Sequence, residues 1–152
     1  MEIALIQKGH PLWEQTIVYA QNCSWKAGSI LAKQMTENRF QDWERVIVAV
    51  EEERIISFCT FTEKDELPEE YDFKPFIGFV FVEDDFRGNH LSGQMIDRAI
   101  AYAKETGFSA VYLMSGETGL YEKYGFRKIG EYDTTHGTRE QLFRRNMSKG
   151  YN

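Results

Sequence analysis

An uninterrupted apolar run in the middle of the chain constrains the fold more than any other feature. Phe76–Val82 reads FIGFVFV and contains no polar side chain. A strand of this kind needs cover on both faces and therefore belongs at the centre of a sheet. The segment EDDF and the turn RGNHLSG follow it, then a helical pattern over 91–104 and the β-rich AVYLM at 110–114. Strand, turn, helix and strand predict a βαβ-type unit in an α/β fold.

The remaining segments add helices and strands around this unit. Helical periodicity predicts two N-terminal helices and one short later helix, at 12–23, 25–37 and 120–124. Runs of β-branched and aromatic residues predict four further strands, at 46–50, 55–61, 126–132 and 138–147. The first two of these strands flank the charged EEER and predict an antiparallel hairpin. Gly28 weakens the second helix, because glycine is a poor helix former.

Composition and charge exclude several classes of function. The 152 residues have the size of one domain, so we expect a single domain over 1–152. The net charge of −6 disfavours a nucleic-acid partner, because binding to phosphate backbones relies on many Lys and Arg contacts. No apolar run approaches the roughly 18 residues of a membrane span, so we expect no membrane partner. Cys23 and Cys59 do not form a C-x-x-C motif, and the N-terminus lacks the basic start and long apolar core of a targeting segment. Both observations predict a reduced, cytoplasmic protein.

One segment is strongly biased in composition. Residues 63–72, the acidic loop, read EKDELPEEYD and carry six acids and one lysine. A run of like charge is usually a solvated loop. Alternatively, it forms a rim that attracts a cationic substrate.

The turn after the central strand is a candidate anion site. A helix N-terminus presents unpaired N–H groups and the positive end of the helix dipole, which suits a phosphate or pyrophosphate. Gly88 allows close backbone approach, Arg87 adds a charged donor and Ser92 a hydroxyl. The same residues also suit an ordinary surface turn. The turn matches neither the phosphate loop of nucleotide hydrolases nor the dinucleotide fingerprint.

Two motifs taken together resemble the GNAT superfamily of acetyl-CoA dependent N-acetyltransferases. In that family, [QR]-x-x-G-x-[GA] begins a helix after a central strand, and a later F/L-Y-x-x-x-G-F precedes the closing strands. The six positions of the turn fall here on Arg87, Gly88, Asn89, His90, Leu91 and Ser92. The second motif falls on Leu120, Tyr121, Gly125 and Phe126. His90 departs from the family's usual glycine and Ser92 from its Gly or Ala, and both side chains could crowd a pyrophosphate. Alternatively, His90 points away from the ligand or donates its ring N–H to a phosphate, while the Ser92 hydroxyl caps the helix and touches the anion.

The resemblance implies a fold, a reaction and a set of site residues. The fold is α/β (α+β), with a central mixed, mostly antiparallel sheet of six to seven strands flanked by about four helices. The reaction moves the acetyl group of acetyl-CoA, as cosubstrate, directly to a primary amine of a small molecule or peptide. The residues implied to bind the coenzyme are Val80, Phe81 and Val82 through their backbone, and Arg87, Gly88, Asn89, His90, Leu91 and Ser92 in the turn. Tyr121 matches the acid that protonates the leaving thiolate, and the family's frequent dimers make a homodimer possible.

The general base and the acceptor site are poorly marked. The family's carboxylate on the central strand would fall near Phe76, which is apolar, so Glu117 is the leading candidate and Asp84 the second. Trp25 is the leading candidate for the acceptor pocket. Trp13, Phe40 and Trp43 are further candidates that also suit a core. The three histidines are too scattered for a metal site, so we expect no metal.

Two alternatives to an enzyme remain open. The missing turn glycine and the missing carboxylate on the central strand suit a non-catalytic module that binds acyl-CoA or regulates a partner. A domain that keeps only the fold, with an interaction role, is the other alternative. The first predicts coenzyme binding without turnover, and the second predicts no coenzyme binding.

Overall fold

A seven-stranded mixed sheet organises the protein in the computed structural model, which describes residues 1–147. The strands are β1 Glu2–Ile6, β2 Arg45–Glu51, β3 Arg54–Thr62, β4 Phe76–Val82, β5 Ala110–Ser115, β6 Arg127–Asp133 and β7 Arg139–Asn146. They lie in the order β1-β2-β3-β4-β5-β7-β6, and β4 is the central strand, as its apolar run predicts. Only β4 and β5 are parallel, so the predicted mixed, mostly antiparallel sheet is confirmed.

The described residues form three α-helices, one fewer than the sequence predicts. These are α1 Trp13–Asn22, α2 Ala27–Thr36 and α3 Leu91–Glu105. The expected fourth helix, at 120–124, is a single 3₁₀ turn, Tyr121–Tyr124, which ends at Gly125 with φ +87°. A second 3₁₀ turn covers Asp84–Phe86. None of the helices in this part of the chain is long and apolar enough to cross a membrane.

The sheet also contains an edge strand that the sequence analysis missed. Strand β1 pairs antiparallel with β2, from Glu2 opposite Val50 to Ile6 opposite Val46. Its five residues carry too little periodicity to identify a strand locally. Pairing with the predicted hairpin stabilises it, and Ile6 is fully buried.

Each face of the sheet has its own cover. Helix α3 packs Met95, Ile96 and Ala99 against one face. On the other face, α1 and α2 cover the half around β2 and β3. The remainder of that second face lies under the acidic loop, which buries Leu67 against Phe76.

The parallel strands β4 and β5 part soon after they meet. They pair only at Phe76 opposite Tyr112 and at Ile77 opposite Leu113. Beyond this point β4 bulges. Phe58 pairs with Phe81 and Thr60 with Gly78, so β4 has one residue more than β3 between the two pairs. We call the opening between β4 and β5 the split.

The contact between α1 and α2 is close because α2 carries a glycine. A Cβ built on Gly28 would lie 2.3 Å from the carbonyl oxygen of Ala20 and 2.6 Å from Cys23 Sγ. The glycine that weakens the helical pattern is therefore required by helix packing.

We expect Gly28→Ala to lower the free energy of unfolding by about 1–3 kcal/mol, because the added methyl group overpacks against backbone. Helix propensity alone predicts the opposite sign, since alanine is favoured by about 1 kcal/mol. Urea unfolding measures the difference. Ser29→Ala on the exposed face of α2 is the matched control, and equal stability of the two variants would contradict the packing argument.

Candidate active site

A cavity of about 1030 Å³ lies at the split and collects residues from distant parts of the chain. Val80 and Leu113 line it from the two strands that part, and Tyr121 lines it from the 3₁₀ turn. Trp25 lines it from the connection between α1 and α2. The acidic loop completes the wall. Three residues predicted for different roles, namely Val80, Tyr121 and Trp25, therefore face one space.

Tyr121 is a buried phenol on this cavity. Its side chain is 7% exposed and packs against Phe126 and Phe143, with ring centroids 6.3 and 6.1 Å away. Burial raises the pKa of Tyr121 to about 12, and Cys59 and Glu117 contribute to the rise. The phenol therefore stays protonated near neutral pH, the form that can give a proton.

Trp25 forms part of an aromatic wall. Its ring lies parallel to that of Phe81, with centroids 6.0 Å apart and planes 5° apart, and it also stacks on Phe58. It remains 36% exposed, so one surface of the indole is available to a ligand. Phe40 lines the same cavity.

The other two tryptophans belong to the core. Trp13 is buried and packs edge-on against Phe40. Trp43 contacts Phe61 and Phe108 on the α3 side of the sheet.

The turn before α3 lies outside the cavity and offers a row of backbone donors. The N–H groups of residues 88–93 have no hydrogen-bond partner within residues 1–147. Gly88 and His90 both have left-handed backbones, with φ +83° and +60°. Such a row of N–H groups at a helix N-terminus fits a pyrophosphate. The turn side chains of Asn89 and His90 are exposed.

Arg87 folds back onto its own strand and loop. Its Nε donates to the carbonyl oxygen of Val82 at 2.9 Å, and its Nη1 pairs with Asp84 at 2.9 Å. The guanidinium also lies 5.8 Å from the ring centroid of Phe81. These contacts tie the turn to the end of β4.

The hydroxyl of Ser92 connects the two predicted motifs. Ser92 Oγ lies 3.2 Å from Tyr124 Oη, and the ring of Tyr124 also covers Gly93. This contact places the start of α3 beside the 3₁₀ turn that carries Tyr121.

The carboxylates expected to act as base do not line the cavity. Glu117 is exposed in the turn after β5, and Asp84 is exposed and paired with Arg87. The acidic loop places four other carboxylates on the cavity wall: Glu63, Asp65, Glu66 and Glu69. Sequence reasoning identified this loop by composition but could not single out one of its acids.

Glu44 is a further cavity carboxylate that the sequence analysis missed. It is 6% exposed and accepts hydrogen bonds from the backbone N–H groups of Gln41 and Glu63, both at 2.6 Å. These bonds join the segment before β2 to the end of β3. Both carboxylate oxygens of Glu44 therefore have a structural role. No local pattern in the sequence distinguishes Glu44 from other acids.

The Arg and Lys side chains of the cavity wall bond to partners other than the acidic-loop carboxylates. Arg39 pairs with Glu37 at 2.6 Å, and Lys64 donates to the carbonyl oxygens of Tyr71 and Phe73. His136 lies 3.8 Å from Glu66. The cavity is therefore acidic at its loop side. In residues 1–147 no group of His, Cys, Asp and Glu side chains is arranged to hold a metal ion.

The fold and the site define the class of protein: an α/β domain whose central sheet opens between two parallel strands, with a buried phenol at the opening. The model of the acetyltransferase (GNAT) family matches residues 13–126. The chain therefore belongs to the GNAT acetyltransferase family, and it is an acyltransferase.

Solved structures share this fold. Aminoglycoside 6'-acetyltransferase type Ii has a TM-score of 0.76 at 15% identity, over 98% of this chain and 99% of that chain. An aminoglycoside 6'-N-acetyltransferase complexed with coenzyme A has a TM-score of 0.72 at 14% identity, over 98% and 99%. A GNAT family acetyltransferase from Elizabethkingia anophelis with acetyl-CoA bound has a TM-score of 0.65 at 16% identity, over 96% and 97%. A comparison with curated protein sequences finds no match.

We expect His90→Gly to raise the free energy of unfolding by about 0.5–1 kcal/mol, because glycine adopts the left-handed backbone at φ +60° without the cost that other residues bear. His90→Ala is the matched control, since alanine bears the same backbone cost. Thermal unfolding of the two variants compares them directly. A glycine variant no more stable than the alanine variant would contradict the assignment of strain.

Proposed function

We propose that the protein is an N-acetyltransferase that moves the acetyl group of acetyl-CoA directly to a primary amine of a small molecule or peptide. One observation carries the proposal: the split opens onto a cavity that holds the buried, protonated Tyr121 and an acidic wall. The aminoglycoside acetyltransferases and the coenzyme-bound relatives with the same fold support it.

The strand β4 supplies the coenzyme's main-chain partners. In the split, the β4 edge beyond Ile77 has no pairing with β5, so its backbone groups can accept the pantetheine arm and polarise the thioester carbonyl. A preorganised N–H aimed at developing negative charge contributes several kcal/mol to such a step. Val80, Phe81 and Val82 act through backbone atoms, while Phe81 packs its side chain in the core. The free N–H groups of residues 88–93 hold the pyrophosphate.

The reaction needs a donor for the leaving sulfur. The amine attacks the thioester carbonyl, a tetrahedral oxyanion forms, and the carbon–sulfur bond breaks. Tyr121 hydrogen-bonds and protonates the leaving thiolate. Its raised pKa keeps the proton available before the step.

The acidic cavity favours a cationic acceptor. Glu63, Glu66 and Glu69 line its loop side, whereas the nearby Arg39 and Lys64 are bonded elsewhere. A di- or polyamine can place one ammonium group against these carboxylates while a second amine reaches the split. Trp25 offers a ring surface for the carbon skeleton between them.

A non-catalytic module is the second candidate. His90 stands at a glycine position with a strained backbone, and β4 carries no carboxylate, both of which suit a protein that binds acyl-CoA without turnover. Release of free thiol with a panel of amines separates the two functions. Coenzyme binding by calorimetry without turnover on any amine would favour the module.

The proposal extends to the protein's location, domain organisation and oligomeric state. Cys23 and Cys59 are free thiols, which supports a reducing location such as the cytoplasm. The continuous sheet from β1 to β7 supports one domain. A homodimer, which the family's frequent dimers suggest, stays a proposal.

We expect Tyr121→Phe to lower kcat at least tenfold with less than a twofold change in acetyl-CoA affinity, because the ring keeps its packing and loses only the donor. A positioned general acid contributes about 10²–10⁴ in rate. Steady-state thiol release and calorimetry measure the two quantities. Tyr132→Phe, whose ring packs against Tyr71 and Phe73 away from the split, is the control, and an unchanged kcat in Tyr121→Phe would remove Tyr121 from the mechanism.

We expect the KM for a polyamine to rise with ionic strength, and Glu69→Gln to raise it about threefold with kcat unchanged, because exposed charge pairs contribute about 0.2–1 kcal/mol and are screened by salt. Initial rates at about 0.05 and 0.5 M salt test this. Asp72→Asn, in the same loop but off the cavity, is the control. A KM insensitive to salt would argue against a cationic acceptor.

A further inference from the structure

The acidic loop brings one carboxylate onto the central strand at the split. A Cβ built on Gly78 would lie 2.8 Å from Asp65 Oδ1 and 3.0 Å from its Cγ. Gly78 is the first residue of β4 beyond its last pair with β5. The carboxylate therefore occupies the space that a side chain at position 78 would fill.

We propose that Asp65 is the general base that takes the proton from the acceptor's ammonium group. The inference rests on the proposed N-acetyltransferase function and names its missing base. Asp65 and Tyr121 line the same cavity, so the base and the acid face one space from different elements. The apolar position near Phe76 that lacks the family's carboxylate is thereby compensated from a neighbouring loop.

The other carboxylates at the cavity are either bonded to other groups or exposed. Glu44 accepts two backbone N–H groups, and Glu63 accepts the side-chain amide of Gln41 at 2.8 Å. Glu66 lies beside His136 on the rim, and Glu69 is exposed. Asp65 accepts no hydrogen bond and forms no ion pair within residues 1–147, so its lone pairs are available.

Burial, with one neighbouring negative charge, brings the pKa of this carboxyl group into the range that suits proton transfer. Burial raises the pKa of Asp65 to about 7, and the carboxylate of Glu66 adds to the rise. The other charged or titratable groups on the cavity wall are Arg39, Glu44, Glu63, Lys64, Glu69, Tyr121 and His136. A base with a pKa near the working pH is the most effective, because it is both available and strong.

The proton balance of the reaction is complete. The alkylammonium group, with a pKa near 10.4, gives one proton to Asp65 and becomes a neutral amine. Its lone pair forms the carbon–nitrogen bond, and the carbon–sulfur bond breaks. The thiolate takes the proton of Tyr121, and the phenolate recovers a proton from the new amide nitrogen. Asp65 then releases its proton to solvent, so one ammonium and one thioester give one amide, one thiol and one proton.

The test measures kcat against pH from 5 to 9 for the wild type and for Asp65→Asn, with Asp72→Asn as the matched control. We expect the wild-type kcat to rise to a plateau with an inflection near pH 7. Asp65→Asn should lower kcat at pH 7 by about a hundredfold and abolish this inflection, since only amine already neutral can react. Acetyl-CoA affinity should change less than twofold, which shows that the variant is folded.

Two further variants separate catalysis from structure. Glu66→Gln should move the inflection to lower pH, because it removes a negative charge that raises the pKa of Asp65. Gly78→Ala should lower kcat by displacing the carboxylate, and should lower it no further when Asp65 is already Asn. Additive losses would contradict the proposal.

Unfolding supplies a readout that needs no substrate. A raised pKa means that the folded state binds the proton more tightly than the unfolded chain. The stabilising contribution is present below about pH 4 and is lost as the pH rises through about 7. The Tm of Asp65→Asn relative to wild type should therefore increase from pH 5 to pH 8. A constant difference would overturn the assignment of Asp65 as a base poised near neutrality.

The outcomes for the function and for the base are distinct. A wild type that transfers acetyl groups while Asp65→Asn keeps both its rate and its inflection leaves the function intact and overturns the role of Asp65. A wild type that acetylates no amine overturns both. A smaller loss in Asp65→Asn for a weakly basic acceptor, already neutral at the assay pH, supports proton removal as the step that Asp65 performs.

Discussion

The separation of β4 from β5 is the constraint on which the rest of the site depends. Two parallel residue pairs hold the strands together, and beyond Ile77 the bulge at Phe79 turns β4 away. A sheet that stayed paired would satisfy these backbone groups internally and leave no opening. Because the strands part, β4 keeps main-chain groups for a ligand, and elements from both faces meet at the same space.

Burial around the split shifts the pKa of two side chains in the same direction. Removal from water disfavours the charged form of any acid, so the pKa of both Tyr121 and Asp65 rises. The pKa of a phenol is already high, so Tyr121 stays protonated, as the proposed acid must. The pKa of a carboxyl group is ordinarily low, and burial raises that of Asp65 to about 7, where the group can exchange a proton with an amine. The proposed acid and base thus follow from the same exclusion of water acting on groups of different intrinsic strength.

Much of the fold could be predicted because its signals are local. The central strand, the helix α3, the hairpin of β2 and β3 and the two closing strands all follow from periodicity within single segments. The edge strand β1 and the bulge were missed, because both depend on pairing with a neighbour. The same reason explains the site. Tyr121 carries a motif, whereas Asp65 is one acid among six in the loop and only its contact with Gly78 distinguishes it.

The sequence by itself determined the family, the order of most elements, the turn at Arg87–Ser92 and the phenol at Tyr121, because each is encoded by neighbouring residues. Only the tertiary structure decided which carboxylate reaches the split, that Trp25 lines the cavity while Trp13 and Trp43 lie in the core, and why α2 requires Gly28. Those outcomes depend on distances between segments far apart in the chain. Local patterns specify secondary structure, but packing decides which side chains share one space and how far water is excluded from it.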